Sequence, residues 1–149
     1  MPILNYTTQI SVSRTAGEIQ ETLAKAGARR VMIEFGNDHI PEAISFQIDY
    51  AGNTISYRLP SQWNGVHKAL MESDCERKYK TADQARRVAW RILKDWTEAQ
   101  LAMIQSGEAE LTEVFLPYSL NSKGQTLFEV WKNETLALGS GDVVEGEIR

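Results

Sequence analysis

Residues 81–106 read TADQARRVAWRILKDWTEAQLAMIQS and form the longest regular pattern in the sequence. Apolar residues recur along this segment at alternating steps of four and three, the spacing that places them on one side of an α-helix. The predicted apolar stripe consists of Ala85, Ala89, Ile92, Trp96, Ala99 and Met103. Gly107 follows the stripe and is a common helix terminator. The sequence therefore predicts one long amphipathic helix over residues 81–106.

Three segments with strand patterns precede this helix. Residues 30–35 are predicted as the first strand, residues 43–50 and 54–59 alternate apolar and polar side chains, and turn-forming residues separate the three segments at 36–38 and 51–53. This pattern predicts a three-stranded antiparallel meander with one polar face. The side chains expected on that face are Ser45, Gln47, Asp49, Ser56 and Arg58.

Shorter elements are predicted on both sides of the meander. Residues 5–13 are rich in Thr, Tyr, Ile and Val, which predicts a half-buried strand. Residues 16–26 carry apolar side chains at helical spacing, with Thr15 as the expected N-cap residue. The sequence also predicts a short helix over residues 62–73, with Ser61 as its N-cap residue.

The C-terminal part completes the predicted architecture. Residues 110–116 predict one or two helical turns ended by Pro117, and residues 126–131 a short helix or strand. The expected fold class is α+β, with a small antiparallel sheet of three or four strands packed against the long helix and one or two shorter helices. We expect one domain over residues 1–138, followed by a flexible acidic tail over 139–149.

Cysteine usage and hydropathy indicate the compartment. The one cysteine, Cys75, has no partner for an internal disulfide, and its carboxylate neighbours disfavour a reactive thiolate. Residues 1–6 lack the basic and apolar regions of a signal peptide. No segment approaches the roughly 18 apolar residues that span a bilayer. We therefore expect a cytoplasmic protein without a membrane partner.

Catalytic and metal-binding patterns are absent from the sequence. His39 and His67 lie far apart, and neither forms a ligand motif with Cys75. No nucleophile elbow and no glycine-rich phosphate loop is present. Glu110 and Glu113 are spaced for the start of a helix, where their charges are favourable. These patterns predict a protein that is not an enzyme and uses no metal or other cofactor.

Three segments carry a resemblance to known proteins. They read WRILKDWTEAQLA at 90–102, EVFLPY at 113–118 and GQTLFE at 124–129. Together they resemble a family of small uncharacterised proteins encoded by bacteriophages and prophages, and the similarity extends roughly from residue 16 to residue 131. The resemblance implies a bacterial host cytoplasm and a role in phage replication, in recombination or in interference with host defence.

The strongest charge asymmetry is a basic segment inside an acidic chain. Residues 77–94 hold seven basic residues against Asp83 alone, although the whole chain has a net charge of -4. Cations spaced along the outer face of a helix neutralise successive phosphates, so this segment is the candidate nucleic-acid site. Its predicted phosphate ligands are Arg77, Lys78, Lys80, Arg86, Arg87, Arg91 and Lys94. Trp90 borders them as a stacking platform or as a core residue.

The predicted order of elements gives this hypothesis some support. A helix, three antiparallel strands and a helix with basic residues at its start resemble the double-stranded-RNA-binding fold in outline. The additional helix at 62–73 departs from that outline. If the basic face binds phosphate, substituting Arg87 and Arg91 with Glu should abolish binding and leave thermal stability unchanged.

A protein-binding function is the alternative. The basic residues then form a solvated face or pair with acids, and the chain inhibits a host defence protein or nucleic-acid enzyme by docking or charge mimicry. Residues 95–149 hold ten acidic residues against three basic ones, which suits such mimicry. The aromatic residues near the C-terminus form either a packed subdomain or an oligomer interface; they are Phe115, Tyr118, Phe128 and Trp131.

Overall fold

Three antiparallel strands in the order β1-β2-β3 form the sheet in the computed structural model, which describes residues 1–140. The strands are β1 (Arg30–Phe35), β2 (Pro41–Tyr50) and β3 (Asn53–Pro60). The α-helices are α1 (Val12–Lys25), α2 (Trp63–Glu72), α3 (Ala82–Gln105), α4 (Leu111–Phe115) and α5 (Leu127–Ser140). Two 3₁₀ turns lie at Arg77–Tyr79 and Leu116–Tyr118. The predicted α+β class is confirmed.

The β2–β3 hairpin follows from its turn residues. Tyr50 pairs with Asn53, so a two-residue loop joins the strands. Ala51 and Gly52 have φ angles of 52° and 82°, the positive values that a type I′ turn requires at both positions. The polar side chains predicted for one face bond across the strands, with Gln47 Nε2 donating to Ser56 Oγ over 3.2 Å.

Helices α1 and α3 enclose the core with the other face of the sheet. Trp90 of α3 is 1% exposed, and its indole N–H donates to the Pro41 carbonyl oxygen over 3.2 Å. Phe46 stacks on Tyr57 with ring centroids 5.1 Å apart, and Phe115 meets Phe46 edge-on at 5.3 Å. Burial of these large rings supplies much of the apolar area removed from water, and each buried aromatic side chain contributes roughly 1.5–3 kcal/mol.

The N-terminal prediction is wrong in two respects. No strand covers residues 5–13, because α1 begins at Val12 and Ser11 Oγ accepts a hydrogen bond from the Arg14 amide. Thr15 is fully buried on the inner side of α1, so it is not the N-cap residue. The apolar stripe of α1 begins four residues earlier than expected, and Val12 belongs to it instead of to a strand.

The long helix is confirmed, but its buried side differs from the predicted stripe. Ala99 is exposed and Met103 is 38% exposed, whereas Val88, Trp90 and Thr97 are buried. Helix α3 packs against α1 and α2 as well as the sheet, so its first half is covered on more than one side. A single stripe with period 3.6 cannot describe a helix that is enclosed in this way.

Helices α2 and α5 decide two further predictions, the N-cap residue at 61 and the state of residues 126–131. Helix α2 starts after Gln62 without a side-chain cap, so Ser61 is not its N-cap residue. Residues 126–131, predicted as helix or strand, lead into α5. The predicted acidic tail lies outside the described residues from position 141 onward, and its first two residues, Gly139 and Ser140, end α5. No helix within residues 1–140 is long and apolar enough to cross a membrane.

Candidate functional site

The predicted basic site extends from a 3₁₀ turn into the first half of α3. Its cationic groups do not form one free surface, because most of them bond to other residues of the chain. The seven predicted phosphate ligands are Arg77, Lys78, Lys80, Arg86, Arg87, Arg91 and Lys94.

Two of these side chains are largely buried and form ion pairs, one with α1 and one within α3. The side chains of Arg91 and Lys94 are each 15% exposed. Arg91 Nη1 lies 2.5 Å from Glu18 Oε1 of α1, and Lys94 Nζ lies 2.5 Å from Glu98 Oε1. The arc predicted as the outer face of α3 is therefore partly covered by α1, and its cations already have carboxylate partners.

The two arginines at the start of α3 are also engaged. The Arg86 guanidinium lies over the Trp63 ring, 4.4 Å from its centroid, and one of its nitrogens is 3.1 Å from Asp38 Oδ2. Arg87 donates from Nε and Nη2 to Gln84 Oε1 over 3.0 and 2.6 Å. These contacts hold Arg86 between α2 and the β1–β2 turn, and they bond Arg87 within α3.

The three basic residues before α3 differ in exposure. Lys80 Nζ donates to the Ser73 carbonyl oxygen over 2.9 Å. Arg77 is exposed, and the Lys78 side chain is 64% exposed and 3.8 Å from Glu76. Of the seven predicted phosphate ligands, Arg77 and Lys78 are thus the two whose charged groups lie most openly in solvent.

Other candidate groups are placed in structural roles. Trp90 is a core residue, which excludes it as a stacking platform. His67 Nε2 lies 3.0 Å from the Lys80 carbonyl oxygen, and Cys75 Sγ lies 3.0 Å from Ser73 Oγ. No group of three or more potential metal ligands occurs within the described part of the chain.

Two shifted pKa values also have local structural causes. The pKa of Asp49 is lowered, first by its hydrogen bond with Arg29 and then by the Thr54 hydroxyl, in a surface pair. Burial against Phe46 raises the pKa of Tyr57. Neither group belongs to a cluster that would move protons in a reaction.

The aromatic residues near the C-terminus divide into two pairs. Phe115 is fully buried and packs edge-on against Trp96 at 5.7 Å, and Tyr118 meets the same indole at 5.6 Å. Phe128 and Trp131 are 49% and 57% exposed, and their rings stack on each other with centroids 5.8 Å apart. The expectation of a packed subdomain describes the first pair, and the second pair lies on the surface.

Helix α5 carries the exposed pair and has a well-defined start. Thr126 Oγ1 accepts from the Glu129 amide over 3.1 Å, and Glu129 Oε1 accepts from the Thr126 amide over 3.1 Å. This reciprocal pair is a capping box. The hydrogen bond from the Thr126 amide is the main cause of the lowered pKa of Glu129, and the nearby hydroxyl contributes next. The aromatic pair is therefore presented by a helix that its own first turn stabilises.

The apolar side of α5 extends beyond the aromatic pair. Successive helical residues are about 100° apart, which places Leu127, Trp131 and Leu138 on one side together with the exposed Glu134, and Phe128 at the border of that side. Leu127 is 45% exposed and Leu138 is half-buried. The sequence prediction missed this side because it ended the element at residue 131. The helical spacing of Leu127, Trp131 and Leu138 is the signal that identifies it.

One cleft adjoins α5. It has a volume of about 570 Å³ and lies between α5 and β3, and α5 lines it with Phe128, Glu129, Lys132, Asn133 and Leu136. A smaller apolar groove of about 280 Å³ lies between β3, α2 and α3. Pro60, Gln62 and Tyr118 line both, so the two clefts are continuous. Helix α5 thus borders the cleft with one side, Phe128 lies at the edge of that cleft, and Trp131 lies outside its lining.

Comparisons with known proteins give no relative. No family model matches the chain, and no curated protein and no solved structure matches it significantly. The resemblance to phage proteins stays a prediction from the segments at 90–102, 113–118 and 124–129. The candidate site rests on the positions and exposure of the side chains described above.

Proposed function

We propose that the chain is a protein-binding module that docks onto a partner protein through helix α5. The observation that carries this proposal is the stacked pair of Phe128 and Trp131, which are 49% and 57% exposed on a helix with an apolar side. Aromatic side chains bury 150–250 Å² each and dominate the energetics of interfaces.

The placement of α5 supports a docking role. The helix contacts the body chiefly through the 3₁₀ turn Leu116–Tyr118, and it leaves Phe128 and Trp131 exposed. Leu116 of that turn is itself 51% exposed, and Leu127 beside it is 45% exposed. A group of exposed apolar residues on one element is typical of a protein interaction site, whereas scattered single residues are not.

The expected mode of binding is a helix laid into a groove. In this mode apolar anchors at successive turns enter the partner, as Leu127, Trp131 and Leu138 are spaced to do. Glu129 and Glu134 are exposed acidic residues on the same helix. The partner chemistry that fits is an apolar groove with a basic rim, as many nucleic-acid enzymes present beside their binding sites.

This proposal corresponds to a stoichiometric binding protein without a reaction of its own. The further prediction of a host defence or nucleic-acid enzyme as the target rests on the resemblance to phage proteins. A cytoplasmic location in a bacterial host belongs to the same part of the proposal.

Nucleic-acid binding through the basic segment is the alternative proposal. It now depends on Arg77 and Lys78, because the other five predicted ligands bond within the chain. Two exposed cations give few phosphate contacts and a shallow dependence of binding on salt. The geometry therefore favours docking by α5.

Comparative affinity capture tests the proposal. Wild-type chain, Trp131→Glu and Asn133→Glu are each used to capture proteins from a bacterial lysate. Trp131→Glu places a charge on the apolar side of α5, whereas Asn133→Glu adds the same charge to the cleft side of the same helix. We expect a partner that Trp131→Glu loses and Asn133→Glu keeps. A partner lost equally with both variants contradicts docking by the apolar side.

A second experiment distinguishes docking by α5 from nucleic-acid binding by the basic segment. Wild-type chain and Arg77→Glu/Lys78→Glu are titrated with labelled single- and double-stranded DNA and RNA over a salt series. The docking proposal expects weak binding in all samples. Tight binding that falls steeply with salt and is lost in the double variant would instead assign the function to the basic segment.

A further inference from the structure

The sheet has one covered edge and one open edge. The outer edge of β3 is occupied, because the Leu120 amide donates to the Ser56 carbonyl oxygen over 2.8 Å and Tyr57 forms a bridge with Ser119. Strand β1 is at the opposite edge, and no strand within residues 1–140 pairs with its outer side. An open edge presents unpaired backbone donors and acceptors to any strand of matching shape.

Strand β1, at the open edge, carries exposed apolar side chains. Met32 is 61% exposed and Phe35 is 58% exposed, and the strand also contains Val31 and Ile33. Proteins usually protect such an edge with charges, prolines or a covering element. Within the described residues, Arg30 and Glu34 are the charged side chains of β1, and they have opposite signs. Opposite charges on one strand can each meet the unlike charge of a second copy that pairs antiparallel.

The spacing of these charges selects a register for self-pairing. In an antiparallel pair, directly opposite residues point to the same side, so the two-fold axis must pass through a residue of each copy. With the axis at Met32, Arg30 of each copy lies opposite Glu34 of the other, and Val31 lies opposite Ile33. With the axis at residue 31 or 33, one of the two charges lies opposite Met32. The register centred on Met32 is therefore the one that pairs both charges.

The existing contacts of these residues permit such pairing. Glu34 Oε2 accepts from Arg58 Nε over 2.8 Å, which holds the carboxylate on the outer face of the sheet. Ser45 Oγ also donates to Oε2, over 3.3 Å, so within residues 1–140 both hydrogen bonds of this carboxylate use Oε2, and Oε1 is the oxygen that a second arginine would meet. Arg30 is exposed and makes no ion pair among residues 1–140. Directly opposite ions of unlike sign stabilise a strand pair by roughly 0.2–1 kcal/mol each, and like charges destabilise it.

We propose that the outer edge of β1 is a homodimer interface, in which two copies pair antiparallel about Met32 and form a continuous six-stranded sheet. The reciprocal contacts between Arg30 and Glu34 fix the register. This interface is separate from the α5 surface, so one chain has an edge for a second copy and a helix for a different partner.

Disulfide trapping tests the register directly. Cys75 is replaced by Ser, which removes the one native cysteine, and a new cysteine is introduced as Met32→Cys or as Arg30→Cys. Residues on the axis have Cα atoms about 4.5–5.5 Å apart, within the range of roughly 4.4–6.8 Å that a disulfide spans. Residues at position 30 of the two copies would be roughly 13–14 Å apart along the strands, beyond that reach. We expect the Met32→Cys chain to cross-link on oxidation and the Arg30→Cys chain to stay uncross-linked.

Sedimentation analysis gives an independent readout. Arg30→Glu places like charges opposite each other and should convert the dimer to a monomer, whereas Arg30→Lys should keep the dimer. The side chain at position 30 is exposed, so both variants should fold like the wild type. A monomeric wild-type chain, or equal cross-linking at positions 32 and 30, would overturn the proposal.

The same variants distinguish this inference from the proposed function. Trp131→Glu should leave the cross-link at position 32 unchanged, and Arg30→Glu should leave capture of the α5 partner unchanged. A dimer that Trp131→Glu dissociates would overturn the β1 interface and assign self-association to α5.

Discussion

Arg91 of α3 and Glu18 of α1 form an ion pair with 2.5 Å between guanidinium nitrogen and carboxylate oxygen. The same Arg91 nitrogen donates to the Thr15 hydroxyl over 3.3 Å. The two residues are 73 positions apart in sequence, so the pair joins two helices that no local pattern connects. Arg91, which was predicted to bind phosphate, therefore connects α3 with α1, the two helices that enclose the core.

Substitution of Arg91 should lower stability, contrary to the expectation from sequence. Arg91→Glu places a carboxylate beside Glu18 in a half-buried contact, and loss of charge-assisted hydrogen bonds there costs about 2 kcal/mol. Urea denaturation of Arg91→Glu and wild type measures this difference. Lys78→Glu is the control, because the side chain at position 78 is 64% exposed and the free energy of unfolding should change by less than about 0.5 kcal/mol. Equal stability of Arg91→Glu and wild type would contradict the ion pair.

Truncation of two tryptophans should change the free energy of unfolding by very different amounts. Trp90 is 1% exposed and hydrogen-bonded to Pro41, so Trp90→Ala should lower the free energy of unfolding by about 3–5 kcal/mol. Trp131 is 57% exposed, so Trp131→Ala should change it by less than about 0.5 kcal/mol. Thermal denaturation followed by circular dichroism measures both. A large loss of stability in Trp131→Ala would show that α5 is packed and not available for docking.

The capping box at the start of α5 should make this helix sensitive to acid. The pKa of Glu129 is lowered by its hydrogen bonds with Thr126, so the bonds contribute stability above the ordinary Glu pKa. That contribution is lost as the pH falls through the lowered native value, because protonation removes the acceptor charge. We expect helicity to decrease over this range in the wild type and less so in Glu129→Gln. Identical acid titrations by circular dichroism would exclude the role of Glu129.

The N-terminal segment should depend on one buried amide. Gln84 is 1% exposed, and its Nε2 donates to the Tyr6 and Thr8 carbonyl oxygens over 2.8 and 2.9 Å. Gln84→Ala removes both donors, at a cost of roughly 1–3 kcal/mol for carbonyl groups left without partners. Hydrogen exchange of residues 5–10 should accelerate in this variant. Unchanged exchange there would show that other contacts hold the segment.

The sequence predicted the elements whose patterns are local. The second and third strands alternate with period two, strong turn residues separate all three, and the positions of the three strands agree with the structure within two residues. The long helix was predicted over 81–106 and is found at Ala82–Gln105. The strand over residues 5–13 was wrong because Ile10 and Val12 alternate locally, while Val12 packs on the inner side of α1.

The candidate site was less predictable because it depends on tertiary packing. Periodicity places Arg91 opposite an apolar stripe, but only the position of α1 shows that the same side meets Glu18. No local pattern separates the four aromatic residues near the C-terminus, yet Phe115 is fully buried in α4, whereas Phe128 and Trp131 are exposed on α5. The exposure of Phe128 and Trp131 follows from where α5 leaves the body, which no short pattern encodes.

Site-specific photocross-linking tests the docking role of α5 most directly. A benzoylphenylalanine is introduced at position 131 or, as the matched control, at the cleft-side position 133, and both chains are irradiated in living cells. We predict an adduct with a different protein from position 131 and little or none from position 133. Absence of an adduct at position 131, or equal adducts at both positions, would contradict a docking surface on the apolar side of α5.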